Sequence, residues 1–297
     1  MAEKNLLNLE SGSGRVTFLE GRGDLPMIEI TTPWSTAEIY LHGAHVTHFK
    51  KHGEPPLLFL SQCSRFQKDA PIRGGIPIIF PWFGKPADRP GQHGFARVKA
   101  WELKEIHSPA DGSVNVRLKL SAWSELADGK ITVEYAVRIN NELSAELITH
   151  NGSGQPFTFE NCLHTYFTVG DISTVAVTGL QGVDYLNQPT NFSRHTDGGK
   201  EIRFAAEVDR AYLHTRHATE IRDPSLQRVI RVEKEGSLST VVWNPWIAKA
   251  KAMPDYGDEE YKEMVCVESG NVAENRISLA PGETSRLKIK LSSAKLG

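Results

Sequence analysis

Apolar residues recur at every second position along much of this chain. Val114, Val116, Leu118 and Leu120 alternate with polar side chains, and Ile131, Val133, Tyr135, Val137 and Ile139 do the same. After Asn140-Asn141 the pattern continues with Leu143, Ala145 and Leu147, and near the C-terminus Leu287, Ile289 and Leu291 alternate with lysines and a serine. Consecutive side chains of a strand point to opposite faces. A period of two therefore predicts strands with one buried and one wetted face, the habit of antiparallel sheets. The Asn-Asn pair between two such runs predicts a tight hairpin turn. Shorter strands are expected at 15–20, 26–31, 35–41, 45–50, 174–178, 227–233, 239–243 and 264–268. Helical spacing is confined to a turn or two at 61–69 and 207–213. Many short strands divided by Gly, Pro, Asn and Asp, with no repeat and no linker, predict an all-β fold: a large antiparallel β-sandwich with few short helices, one domain over 1–297.

Composition then removes several classes of function. The 34 basic and 36 acidic residues give a net charge of −2, without the basic excess that a nucleic-acid surface would need. No apolar run approaches the roughly 18 residues of a membrane helix; the richest, 76–83, is interrupted by Pro77 and Pro81. The first ten residues mix acids and amides with apolar side chains and lack the apolar centre of a secretion signal. Cys63, Cys162 and Cys266 are odd in number and widely spaced, which opposes a disulfide framework. The expectation is a cytoplasmic, soluble monomer whose partner is a small molecule, neither nucleic acid nor membrane.

Several segments could carry chemistry. His42, His45, His48 and His52 would share one face of a helix, but Gly43, Val46, Thr47 and Gly53 favour strand and turn, where residues three apart face opposite ways. Ordinary packing or surface roles are expected for them. In 157–167 a histidine, His164, sits inside an aromatic-rich strand-like run; in 264–270 an apolar strand carries Glu268 just before Ser-Gly. A buried carboxylate is expensive unless paired or functional, so these two can be read as structural groups or as an acid/base pair. Cys162 and Cys266 each precede them by two residues, on the same strand face, and a Cys/His/Cys metal site is set aside because zinc favours tighter local spacing. Arg73, followed by two glycines, and Arg97 in a neighbouring segment offer planar forks suited to carboxylate or phosphate. Asp209, beside an expected turn, is a hydroxyl acceptor, and Trp82, Phe83, Trp243 and Trp246 could stack on a sugar or fill the core.

These segments resemble a known family. RGGIPIIFPWFG (73–84), QHGFAR (92–97), HTYF (164–167), EVDRAY (207–212), VVWNPW (241–246) and VCVESG (265–270) occur in the order found in hexose-6-phosphate mutarotases, the glucose-6-phosphate 1-epimerases related to aldose 1-epimerase. The resemblance covers roughly 40–290 and implies a galactose-mutarotase-like β-supersandwich. It implies a catalytic pair, His164 and Glu268, with substrate contacts from Arg73, Gln92, His93, Arg97 and Asp209. The implied reaction interconverts the α and β anomers of a hexose 6-phosphate, glucose 6-phosphate foremost, by acid/base ring opening and closure. Glu268 is expected ionised as base at O1 and His164 protonated as acid at the ring oxygen, each charge favouring the other. Such a reaction needs no redox chemistry or covalent carrier, so no cofactor and no metal are expected. Two alternatives stand beside it: a 1-epimerase of unphosphorylated aldoses, and a non-catalytic sugar-phosphate-binding sandwich.

Overall fold

A computed structural model of the chain describes residues 8–11, 14–120 and 129–297; the opening segment read above for a secretion signal lies mostly outside them. Among the described residues the strands pair antiparallel and form three large sheets and one small one. A five-stranded meander runs in chain order through Asn8–Ser11, Gly14–Glu20, Pro26–Thr31, Ser35–Tyr40 and His45–Lys51. An eight-stranded sheet orders Ala176–Thr178, Thr219–Asp223, Arg228–Glu235, Thr284–Lys295, Leu143–Asn151, Ile131–Ile139, Val114–Leu120 and Trp101–His107. The alternating runs build its middle: Ile131–Ile139 and Leu143–Asn151 bury every second side chain, and a three-residue loop, 140–142, joins them. In that loop the Asn140 side chain accepts a hydrogen bond from the Glu142 amide at 2.7 Å, closing the turn locally.

The third sheet positions the candidate site. It orders Ser193–Thr196, Asp184–Asn187, Val208–Leu213, Ser239–Asn244, Met264–Asn271, Asn161–Leu163 and Ile78–Ile79, with Tyr166–Thr168 also on Met264–Asn271. Ser239–Asn244 and Met264–Asn271 are buried at every position, so neighbouring layers cover both of their faces. Side chains from all three large sheets meet in one apolar cluster, which includes Ile39, Phe80, Tyr135, Leu147, Phe167, Val242 and Ile289. Each fully buried side chain of this size contributes about 1.5–3 kcal/mol.

The strands expected from periodicity are present to within three residues, with two corrections nearby. Residues 208–213 form a strand rather than a helical turn, because the segment pairs on both edges, with Asp184–Asn187 and Ser239–Asn244. Residues 61–69 hold turns and no helix. The α-helix among the described residues is Trp246–Ala252, which follows Pro245 and, after Trp246 and Ile247, is made of Ala and Lys; those strong helix formers were the available signal. No described helix is long and apolar enough to cross a membrane.

Candidate active site

His164 and Glu268 meet because one long strand is paired by two short ones with a break between them. Asn161–Leu163 and Tyr166–Thr168 both hydrogen-bond to Met264–Asn271, leaving His164 and Thr165 as the step from one to the other. The backbone amide of His164 turns away to the Pro77 carbonyl at 3.0 Å. Its side chain reaches Glu268, with Nε2 3.3 Å from Oε1. Both are enclosed, His164 at 7% exposure and Glu268 at 1%. Their surroundings are cross-strand rows. Tyr166, Cys266, Trp243 and Asp209 stand directly opposite one another on successive strands, and Glu268 and Val241 form the next row. The Tyr166 ring stacks on the imidazole at 4.8 Å, and the Trp243 and His93 rings meet it edge-on at 6.0 and 5.8 Å.

Electrostatics corrects the expected ion pair. Burial pushes the Glu268 carboxyl well up, and the nearby Asp209 carboxylate adds to this. Burial pushes His164 well down, helped by the Arg97 and Arg73 charges. Both shifts favour the neutral forms, so the proton of the pair is drawn to Glu268 rather than to His164. Moving that proton along the 3.3 Å contact to Nε2 creates the ion pair without exchange with solvent. Two-site titration of this kind belongs to the pair rather than to either residue.

The substrate-binding candidates fall around this centre. The Arg73 fork is occupied: Nε and Nη2 donate to the Asp255 carboxylate at 3.1–3.2 Å, and Nη1 donates to the Tyr166 hydroxyl at 3.2 Å. The two glycines after Arg73 do not open a path to a ligand. They let the backbone press on the protein itself, since a Cβ at Gly75 would stand 2.2 Å from the Val46 carbonyl oxygen. Arg97 differs. It is 8% exposed, its Nη2 donates to the Gln92 carbonyl at 2.7 Å, its Nε has no partner, and no described carboxylate forms a salt bridge with it. Burial and the Arg73 charge lower its guanidinium to about 10. His93 accepts a hydrogen bond at Nδ1 from the Gly84 amide at 3.1 Å, and burial holds its ring neutral. Its Nε2 therefore carries the proton, and the Gln92 side-chain amide 3.1 Å away accepts it once turned with its oxygen toward the ring. Asp209 lies within a strand rather than beside a turn. Its carboxyl is raised to about 6 by burial, and it accepts a hydrogen bond from Lys249 of the helix at 3.3 Å. A hollow of about 590 Å³ has Gln92 and Arg97 on its wall, and one of about 270 Å³ has Phe83 and Asp209.

Sequence reading missed Asp255 and Lys249. Asp255 stands in Met-Pro-Asp-Tyr-Gly, which reads only as a turn, and nothing local ties it to an arginine 182 residues away. The four histidines near residue 48 do not converge. His42 and His45 bond to the carbonyls of Ala70 and Gly74, His48 to Thr36 and His52 to the Thr32 carbonyl. The donor atoms of His164, Cys266 and Glu268 do lie within 4.8 Å of one another. Burial raises the Cys266 thiol well above its ordinary value, against the thiolate that zinc binds.

Comparison with known proteins agrees with this fold. The family model described as aldose 1-epimerase matches residues 26–292. A protein of Cenchrus ciliaris described as a candidate glucose-6-phosphate 1-epimerase is 40% identical over 269 residues, covering 86% of this chain and 80% of that protein. An Escherichia coli protein of the same description is 35% identical over 260 residues, covering 85% of each chain. The crystal structure of a candidate mutarotase from Salmonella typhimurium superimposes with a TM-score of 0.87 at 30% identity, covering 98% of this chain and 96% of that one. The all-β mutarotase architecture expected from the sequence is therefore the one adopted, and by a family match over most of its length the chain belongs to the aldose 1-epimerase family.

Proposed function

We propose that this protein interconverts the α and β anomers of hexose 6-phosphates, with His164 and Glu268 as the acid/base pair. The observation that carries this reading is the enclosed 3.3 Å contact between the His164 imidazole and the Glu268 carboxyl group. Such a pair can give and take a proton in one step. With the proton on His164, the Glu268 carboxylate accepts the O1 hydroxyl proton while Nε2 protonates the ring oxygen. The C1–O5 bond breaks and an aldehyde forms at C1. Rotation about C1–C2 and the reverse transfers close the ring on its other face. The pair ends with the proton count it began with. Positioned acid/base groups of this kind contribute typically about 10²–10⁴ in rate.

The phosphate part of the reading rests on Arg97. A buried guanidinium without a carboxylate beside it is relieved by a dianion, and charge-assisted hydrogen bonds to phosphate suit its planar fork. Asp209 accepts sugar hydroxyls, and Gln92 and His93 donate to them. The names of the relatives point to the same substrate class.

Anomer exchange of glucose 6-phosphate, followed by NMR with and without the protein, tests this. The wild type should accelerate exchange, and Glu268→Gln or His164→Asn should lower the rate at least about 100-fold with binding retained. A folded variant with near-normal turnover removes that residue from the pair. A wild type that binds the sugar phosphate without accelerating exchange would make the protein a binding module.

A further inference from the structure

Glu268 has two carboxyl oxygens, and only one faces His164. The other, Oε2, accepts a hydrogen bond at 3.4 Å from the thiol of Cys162, on the neighbouring strand Asn161–Leu163. Cys162 is fully buried. Burial and the adjacent carboxyl group push its thiol well up, so it stays an S–H donor. Room for it comes from Gly270, its partner across the strand pair. A Cβ at position 270 would stand 2.8 Å from both Cβ and Sγ of Cys162 and 2.5 Å from the Asn161 carbonyl oxygen. Any other residue there would push the thiol off its line to Glu268.

We propose that Cys162 is a positioning residue for the reaction: its thiol proton holds Oε2 of Glu268, fixing the carboxyl plane so that Oε1 faces His164 and favouring the carboxylate that receives the substrate proton. The proposal rests on the acid/base reading of His164 and Glu268 given above. A carboxyl group turns easily about its terminal bond, whose torsional preference is broad. One contact fixes an atom; contacts at both oxygens fix the plane. The groups that act on Glu268 are His164, Cys162, Cys266, Asp209 and Arg97, and among them Cys162 is the one whose hydrogen bond to the carboxyl favours its ionised form.

The pair holds one proton, on Glu268 at rest and on His164 in the reacting form. Loss of the thiol donor shifts that balance toward protonated Glu268. The plateau of kcat/KM against pH then falls, and the last proton leaves the pair at higher pH, moving the basic limb upward. The acid limb, where His164 takes a second proton, stays. A shift of one pKa unit corresponds to a factor of ten, so a weak thiol donor should move both features by about 3- to 10-fold.

Cys162→Ala and Cys162→Ser are compared with wild type by pH profiles of glucose 6-phosphate anomerisation, with Glu268→Gln alongside. Expected are a plateau about 3- to 10-fold lower in Cys162→Ala, a basic limb about 0.5–1 pH unit higher, and recovery of both to within about twofold in Cys162→Ser, which restores a donor. An unmoved basic limb in Cys162→Ala, or a serine variant no better than alanine, overturns the proposal while Glu268→Gln stays inactive. Turnover by folded Glu268→Gln overturns it differently, by removing the acid/base reading beneath it. If the alanine variant does not fold, infrared spectroscopy of the wild type decides. The S–H band lost in Cys162→Ser should sit below that of an unbonded thiol and rise in Glu268→Leu, which removes the acceptor; a band unaffected by Glu268→Leu overturns the proposal.

Discussion

A buried guanidinium without a salt-bridged carboxylate is electrostatically costly, and among the described residues Arg97 has none while Arg73 has Asp255. Arg73 is already satisfied by the two oxygens of Asp255. The two arginines should therefore respond differently to removal. A hydrogen bond to a charged group is worth about 1.5–3 kcal/mol, so Arg97→Ala should lower kcat/KM for glucose 6-phosphate by about 10- to 150-fold. Free glucose, which brings no anion to Arg97, should change by less than about threefold. Arg73→Ala should lower kcat/KM for both sugars, because it leaves the Asp255 carboxylate buried without a cation, and should destabilise the fold by on the order of 3 kcal/mol. Steady-state kinetics on the two sugars, with urea unfolding of each variant, separates the cases. Equal losses on both sugars in Arg97→Ala would place that side chain on the sugar ring or in the fold instead. Both arginines were visible in the sequence as forks near glycines. Their difference was not, because it lies in a carboxylate far along the chain.

The site is assembled by interruptions in regular structure. The break at 164–165 between two short strands brings the imidazole to Glu268. The segment 92–97, which carries Gln92, His93 and Arg97, lies against residues 80–84 through hydrogen bonds from Phe95 to the Phe80 carbonyl at 2.9 Å and from His93 to the Gly84 carbonyl at 2.7 Å. Gly94 makes this approach possible. Its φ is +67°, and a Cβ there would stand 1.9 Å from the Phe80 carbonyl oxygen. Gly94→Ala should therefore shift the whole segment. A side chain in the left-handed region costs roughly 1–2 kcal/mol before the clash is counted. The melting temperature should fall by at least about 4 °C. kcat/KM should fall more than about tenfold, through displacement of three proposed substrate-binding groups at once. Thermal denaturation and kinetics on the same preparation check this; wild-type values for both would show that the segment can move without consequence. From sequence the Gln-His-Gly-Phe-Ala-Arg run could be recognised as a motif. What its glycine packs against could not, since Phe80 meets it only through an isolated bridge made when the loop folds back.

Three histidines are enclosed between the sheets and held neutral: His45, lowered to about 3 by burial, and His93 and His164, both pushed well down. Their folded-state values lie below the unfolded value near 6.5, so the unfolded chain binds more protons and stability falls as pH drops below about 6.5. His45 makes a clean test, because it is fully buried with its Nε2–H donating to the Gly74 carbonyl at 2.7 Å, and it stands outside the proposed acid/base pair. His45→Gln keeps a donor and removes the titration. Between pH near 7.5 and pH about 5 the wild type should lose about 2 kcal/mol more stability than this variant. Urea unfolding at the two pH values measures it, and parallel losses would mean that His45 does not titrate in the unfolded chain as assumed. The same distinction between local and distant causes runs through the molecule. Alternation of apolar and polar residues is a property of neighbours, so the strands at 131–139 and 143–151, the turn between them and the all-β class could be read from the chain alone. So could the identities of His164 and Glu268, which stand in motifs. The strand at 208–213 could not, because pairing on two edges overrode a helical spacing. Nor could the pull of the proton toward Glu268 rather than His164, the occupied fork of Arg73, or the thiol behind the carboxyl group. Each of these depends on distance and dielectric between groups far apart in sequence, and those quantities exist only once the sheets have packed.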